Sequence, residues 1–253
     1  MKSDTILALA APLLLVQGKY VRRVTPKLPE AAGARVGERT LRDTGGERAA
    51  LRVLITGDSS AAGVGTRHQD EALPGQLADA LAARGLAARL GWQVIARSGI
   101  DTRELAAMLE AHPPAPFDVA VISIGVNDVT GRRAIGDWLD DLGRVQAQLR
   151  STERHGALVF SGMPPMHRFP ALPQPLRAYL GERAREFDAA LRAWVGTRER
   201  ASYAGIPDSD DLSLVASDGF HPGPGAYRVW AEQIAIEIGR FAGRSQPEPT
   251  RTP

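Results

Sequence analysis

From Leu51 onward the chain alternates between short apolar runs and helix-length stretches, and this alternation constrains the fold more than any other feature. The runs lie at 52–56, 92–96, 117–124, 156–161 and 199–204. Between them lie stretches at 73–84, 101–111, 134–151 and 174–195, and a last helix is expected at about 224–241. A short, nearly continuous apolar run reads as a strand buried on both faces. Strands separated by helices imply βαβ units and a parallel sheet, hence an α/β protein with right-handed crossovers. No internal repeat is visible. With 253 residues, 43% of them hydrophobic, the chain is long enough for one domain with a sizeable core and short extensions.

The extensions flank that domain. Residues 1–24 form an N-terminal apolar and basic segment, 25–50 read as a linker, 51–243 as the domain and 244–253 as a disordered tail. The linker reading rests on Pro26, Pro29, Gly33, Gly37, Gly45 and Gly46. The apolar run Ile6 to Val16 is broken by Pro12 and is short for a membrane span. Its basic cluster, Lys19, Arg22, Arg23 and Lys27, follows it, whereas a secretory signal carries its charge in front. Gln17-Gly18-Lys19-Tyr20 also lacks the small residues of a cleavage site. Two readings stay open. One is an interfacial helix over 5–18, giving peripheral membrane contact through residues 5–24 with the basic flank near anionic lipid. The other is a helix packed on the domain's own surface.

Charge and cysteine content narrow the function classes. The net charge is +2, and no basic stripe is interleaved with aromatics, so nucleic acid is not an expected partner. There is no cysteine, which excludes disulfides and thiol chemistry but leaves the location open between cytoplasm, membrane surface and export.

Four motifs carry chemistry. Val53-Leu54-Ile55-Thr56 ends abruptly in Gly57-Asp58-Ser59, which puts Ser59 at the carboxyl end of a strand, the edge where open α/β sheets bind ligands. Neither GxxxxGK[ST] nor GxGxxG is present, so a phosphate cradle is weakly supported, and a helix cap is the plainer alternative. Ser98-Gly99 follows the second strand and Gly125-Val126-Asn127-Asp128 the third, while Asp218-Gly219-Phe220-His221 precedes the last helix. A serine needs a neighbouring base to act as a nucleophile, and His221 can be that base. Asp218, three residues earlier, can fix the imidazole tautomer. The Ser59 and Gly99 backbone N–H groups and the Asn127 amide can hold an oxyanion, with Gly99 letting the backbone approach closely. Taken singly, Asp-x-x-His is usually a surface pair and Asn-Asp a turn; the joint occurrence in this order sets the chain apart.

On these residues the chain resembles the SGNH (GDSL-type) hydrolase family, whose four blocks centre on Ser, Gly, Asn and His. Ser59, Gly99, Asn127 and His221 match those positions, and Asp218 matches the triad acid. The blocks span 53–227; the usual Leu after Gly-Asp-Ser is Ser60 here, a departure the pattern tolerates. The resemblance implies a three-layer α/β/α sandwich with a flavodoxin-like parallel sheet. It also implies ester or thioester hydrolysis without a metal or other cofactor. Asp58 and Asp128 match positions that hold the loops.

The resulting expectation is a serine esterase or lipase-like hydrolase acting on a small-molecule or lipid ester through an acyl-enzyme. Acyl transfer to an alcohol is the alternative within the same chemistry. A non-catalytic binding module with Ser59 as a cap is the alternative outside it. His68, His112, His155 and His167 show no paired ligand spacing, so no metal site is expected. The proline-rich loop 163–170 should face the site, which leaves His167 a possible substrate contact.

Overall fold

Each apolar run folds as a strand whose alternate side chains feed two different cores. A computed structural model describes residues 3–41, 50–153 and 156–244. The strands are β1 (Val36–Thr40), β2 (Ala50–Gly57), β3 (Arg89–Ala96), β4 (Val119–Ser123), β5 (Ala157–Ser161) and β6 (Ala201–Ala204). The helices are α1 (Ser3–Val24), α2 (Leu73–Ala83), α3 (Thr102–Ala111), α4 (Val126–Thr130), α5 (Ile135–Thr152), α6 (Leu176–Val195) and α7 (Pro224–Arg244). The sheet order is β1-β3-β2-β4-β5-β6, and every pairing from β3 to β6 is parallel.

Because successive residues of a strand point to opposite faces, the central strands divide their side chains. Val53 and Ile55 of β2, and Val119 and Val121 of β4, pack with Leu77 and Leu81 of α2 and Ile234 of α7. Leu54, Ala120 and Ile122 pack with Leu105 of α3, Trp138 of α5 and Phe187 of α6. Helices therefore cover both faces, and the fold is the expected three-layer α/β/α sandwich.

One feature differs from the sequence reading. Residues 25–50 are not simply a linker: β1 lies within them and pairs antiparallel with β3, from Val36 opposite Gln93 to Thr40 opposite Arg89. The sheet is thus parallel except at this edge. Val-Gly-Glu-Arg-Thr carries one large apolar residue, and as an edge strand it stays largely exposed, so it shows no hydrophobic period. The same segment is tied to the domain by Gln69 N–H bonding to the Ala32 carbonyl at 2.8 Å. The N-terminal segment, open between two readings, folds as a helix. α1 packs on the domain through Leu14 and Val21, and the Gln17 amide nitrogen donates to the Gln174 carbonyl at 2.7 Å. Among the described residues no helix is long and apolar enough to cross a membrane. The expected disordered tail, apart from Arg244, lies outside the described residues, as does His155.

Candidate active site

The chain leaves β2 for one neighbour, β3, and later fills the other side with β4, so β2 ends at a topological switch point. The three adjacent strands β3, β2 and β4 lead into the loops that carry Gly99, Ser59 and Asn127. Beneath the Ser59 loop, Asp58 N–H bonds to the Ser123 carbonyl at 3.0 Å and Arg97 N–H to the Gly57 carbonyl at 3.2 Å. Only glycine fits at 57: its φ is 147°, and a Cβ there would lie 1.7 Å from the Ser123 oxygen. The loop then closes on itself, with Ala62 N–H on the Asp58 carbonyl and Val64 N–H on the Ser59 carbonyl, both at 3.0 Å.

Ser59, His221 and Asp218 meet in one chain of contacts. His221 Nε2 lies 3.0 Å from Ser59 Oγ, and His221 Nδ1 lies 2.5 Å from Asp218 Oδ2. The other Asp218 oxygen accepts from Phe220 N–H at 2.9 Å and His221 N–H at 3.0 Å. Burial works against this carboxylate, but the bonds from the His221 ring, His221 N–H and Phe220 N–H outweigh it, and its pKa lies below the ordinary aspartate value. Asp218 is therefore ionised at neutral pH, bound to the ring nitrogen that faces away from Ser59.

Ser59, Gly99 and Asn127 are the oxyanion candidates. Asn127 Nδ2 donates to the Ile100 carbonyl at 2.8 Å, which fixes the amide and leaves its second hydrogen uncommitted. Among the described residues the Ser59 and Gly99 N–H groups have no protein acceptor. Close approach is not why glycine stands at 99, since a Cβ there would meet nothing within 4 Å; the φ of 83° is what requires it.

The two other motif aspartates brace these loops. Asp58 Oδ1 accepts from Ser60 N–H at 3.1 Å. Asp128 Oδ2 accepts from Thr102 N–H at 3.2 Å and Thr102 Oγ1 at 2.7 Å, joining the Asn127 turn to the start of α3. Both are buried, and one oxygen of each has no partner. Burial, opposed by the Ser60 N–H and reinforced by the Asp128 charge, raises Asp58 to about 7. Burial likewise raises Asp128 to about 6, against the bonds from Thr102.

Two supporting residues carried no sequence signal. Tyr227 of α7 is buried, and its hydroxyl lies 2.9 Å from both the Ser60 and Val64 carbonyls, pinning the Ser59 loop. Glu30, in the segment before β1, accepts from Ser98 N–H at 2.7 Å and pairs with Arg35, which itself donates to the Ala96 carbonyl at 2.7 Å.

Ser59 and His221 open onto an apolar cavity whose walls include Met163, Pro164, Phe169, Ile206, Leu214 and Trp230. The loop 163–170 thus faces the site as expected. Arg168 latches it to the opposite loop, 3.0 Å from Asp208 and also paired with Asp210. His167 is not part of that wall: its Nε2 turns away to Asp208 at 3.2 Å. Among the described residues no group of three His, Cys, Asp or Glu is arranged to hold a metal.

Known proteins resemble this chain in sequence and in fold. A GDSL-like esterase of Mycobacterium tuberculosis, Rv1075c, is 30% identical over 250 residues, covering 90% of this chain and 76% of its own. A lipase from a goat rumen metagenome superposes with a TM-score of 0.61 at 16% identity, over 76% of this chain and 97% of that one. A family 3 carbohydrate esterase of Clostridium thermocellum superposes with a TM-score of 0.60 at 16% identity, over 78% and 98%. These two likenesses establish the fold. The sequence profile of the GDSL-like lipase/acylhydrolase family matches residues 55–229, from within β2 into α7, and the chain belongs to that family.

Proposed function

We propose that this protein hydrolyses carboxylic esters through a covalent intermediate on Ser59. The observation that carries the reading is the continuous contact from Ser59 Oγ to His221 Nε2, and from His221 Nδ1 to the buried Asp218 carboxylate, at the mouth of an apolar cavity. Ser59 Oγ attacks the acyl carbonyl as its proton passes to His221 Nε2. Asp218 holds the ring and stabilises the imidazolium. The negative charge on the carbonyl oxygen is met by the N–H groups of Ser59 and Gly99 and the free hydrogen of Asn127. His221 returns its proton to the departing alkoxide. Water, deprotonated by His221, then attacks the acyl-enzyme and releases the acid and Ser59. The apolar lining favours a substrate with an apolar portion, a small-molecule or lipid ester.

A fluorophosphonate probe tests the nucleophile. It should label the folded protein at Ser59, and Ser59→Ala should abolish labelling and ester turnover. A label mapped to Ser60 or Ser98, or none on folded protein, overturns the reading.

A further inference from the structure

α1 presents two apolar faces, and the domain covers only one of them. Leu14 and Val21 are 5% and 8% exposed, with Leu7 and Ala10 packed beside them. Leu13, Val16, Tyr20 and Val24 recur at helical spacing on a different face and are 49%, 65%, 60% and 50% exposed. A helix that only had to pack on α6 would carry polar residues there. Lys19, Arg22 and Arg23 are also exposed, as is Lys27 just beyond the helix, and among the described residues none of the four has an ion-pair partner. They are the cations of the only region of the chain that contains lysine. Apolar side chains flanked by free cations match an anionic bilayer interface: the apolar groups enter the headgroup boundary and the cations remain at phosphate level. A second copy of this chain would bring the same positive charges face to face.

The position of α1 ties this face to the site. A groove between α1 and the domain is walled by Leu7, Leu14 and Leu15 on one side and by Leu176 and Tyr179 on the other. It reaches Asn127 and Phe220, and Phe220 also borders the cavity at Ser59.

We propose that the outer face of α1 docks this protein on an anionic lipid surface, which brings the site beside esters dissolved in that surface. The second clause rests on the esterase reading; the docking does not. Sedimentation of the full chain with vesicles reads docking without any catalysis. Vesicles of phosphatidylcholine containing phosphatidylglycerol should bind the protein, pure phosphatidylcholine should bind it much less, and salt should weaken the binding. Arg23→Glu with Lys27→Glu should lower the partition by at least about fivefold per charge. Val16→Asp with Tyr20→Asp should abolish it. These four residues line neither the cavity nor the groove, so each double variant should keep wild-type Tm and wild-type turnover of a soluble short-chain ester. Wild-type protein that ignores phosphatidylglycerol, or variants that bind as wild type does, would overturn the docking. So would a lipid-free dimer in sedimentation equilibrium that Val16→Asp with Tyr20→Asp dissociates, since a second copy would then own the face. An inert wild type on every soluble ester would count against the esterase reading alone, because the vesicle result stands apart from it.

Discussion

Asn127 sits in the first turn of α4 with one amide hydrogen spent on the Ile100 carbonyl and, among the described residues, no acceptor for the other. A donor that meets charge only as the tetrahedral intermediate forms acts on the transition state rather than on substrate binding. Asn127→Ala should therefore lower kcat by roughly 10²–10³ with KM little changed. A variant with lowered Tm but near-normal kcat per folded molecule would make Asn127 a turn former instead. The same logic applies to Asp218: Asp218→Asn keeps the shape but cannot stabilise the imidazolium, and kcat should fall by roughly 10⁴. Steady-state kinetics on folded variants checks both. At this scale the candidate site was largely legible, because Ser, Gly, Asn and Asp-x-x-His occur together in one order, although each taken singly is an ordinary cap, turn or surface pair. Tyr227 and Glu30 were not legible. Each acts through a contact made across the fold, to Ser60 167 residues away and to Ser98 68 residues away. A lone Tyr on a helix or a lone Glu in a loop carries no spacing that would reveal such a contact.

Among the elements, the segment before β2 departs furthest from its sequence reading. Prolines and glycines there mark turns, and turns read as a linker, yet the segment brings Glu30 to Ser98 and lays β1 along the sheet edge. Glu30 thereby becomes a positioning residue for the Gly99 loop. Glu30→Ala leaves Ser98 N–H without its acceptor and loosens the loop without touching substrate. We expect a fall in kcat of about tenfold with KM nearly unchanged, a smaller loss than that of a direct oxyanion donor. Glu30→Gln keeps an acceptor oxygen and should recover most of the rate, whereas equal losses in both variants would tie the effect to the charge pair with Arg35. The buried elements were legible for the opposite reason. β4 and β5 are covered on both faces, so every residue is apolar or small and the run stands out. β1 is covered on neither.

Across the whole molecule, the Ser59 loop and the Asn127 turn are each braced by a buried carboxyl that resists ionisation. Asp58 is raised to about 7 and Asp128 to about 6 from an ordinary value of 3.8, burial being the main cause of both. The folded state therefore binds these protons more tightly than the unfolded chain does. The stabilisation is complete below the unfolded pKa, near 4, and is lost as pH rises through the folded values, between about 4 and 7. Asp218 works in the other direction, but its lowered pKa confines its effect to more acidic solution. The protein should accordingly unfold more easily at pH 8 than at pH 5, with each carboxyl contributing up to about 1.4 kcal/mol per pH unit across its own window. Asp58→Asn keeps an oxygen for Ser60 N–H and cannot ionise, so it should flatten the slope between pH 5 and 7 while costing some stability at pH 5. Urea unfolding of wild type and variant across that range decides it, and an unchanged slope in Asp58→Asn would show that Asp58 ionises as freely in the folded protein as in the unfolded chain.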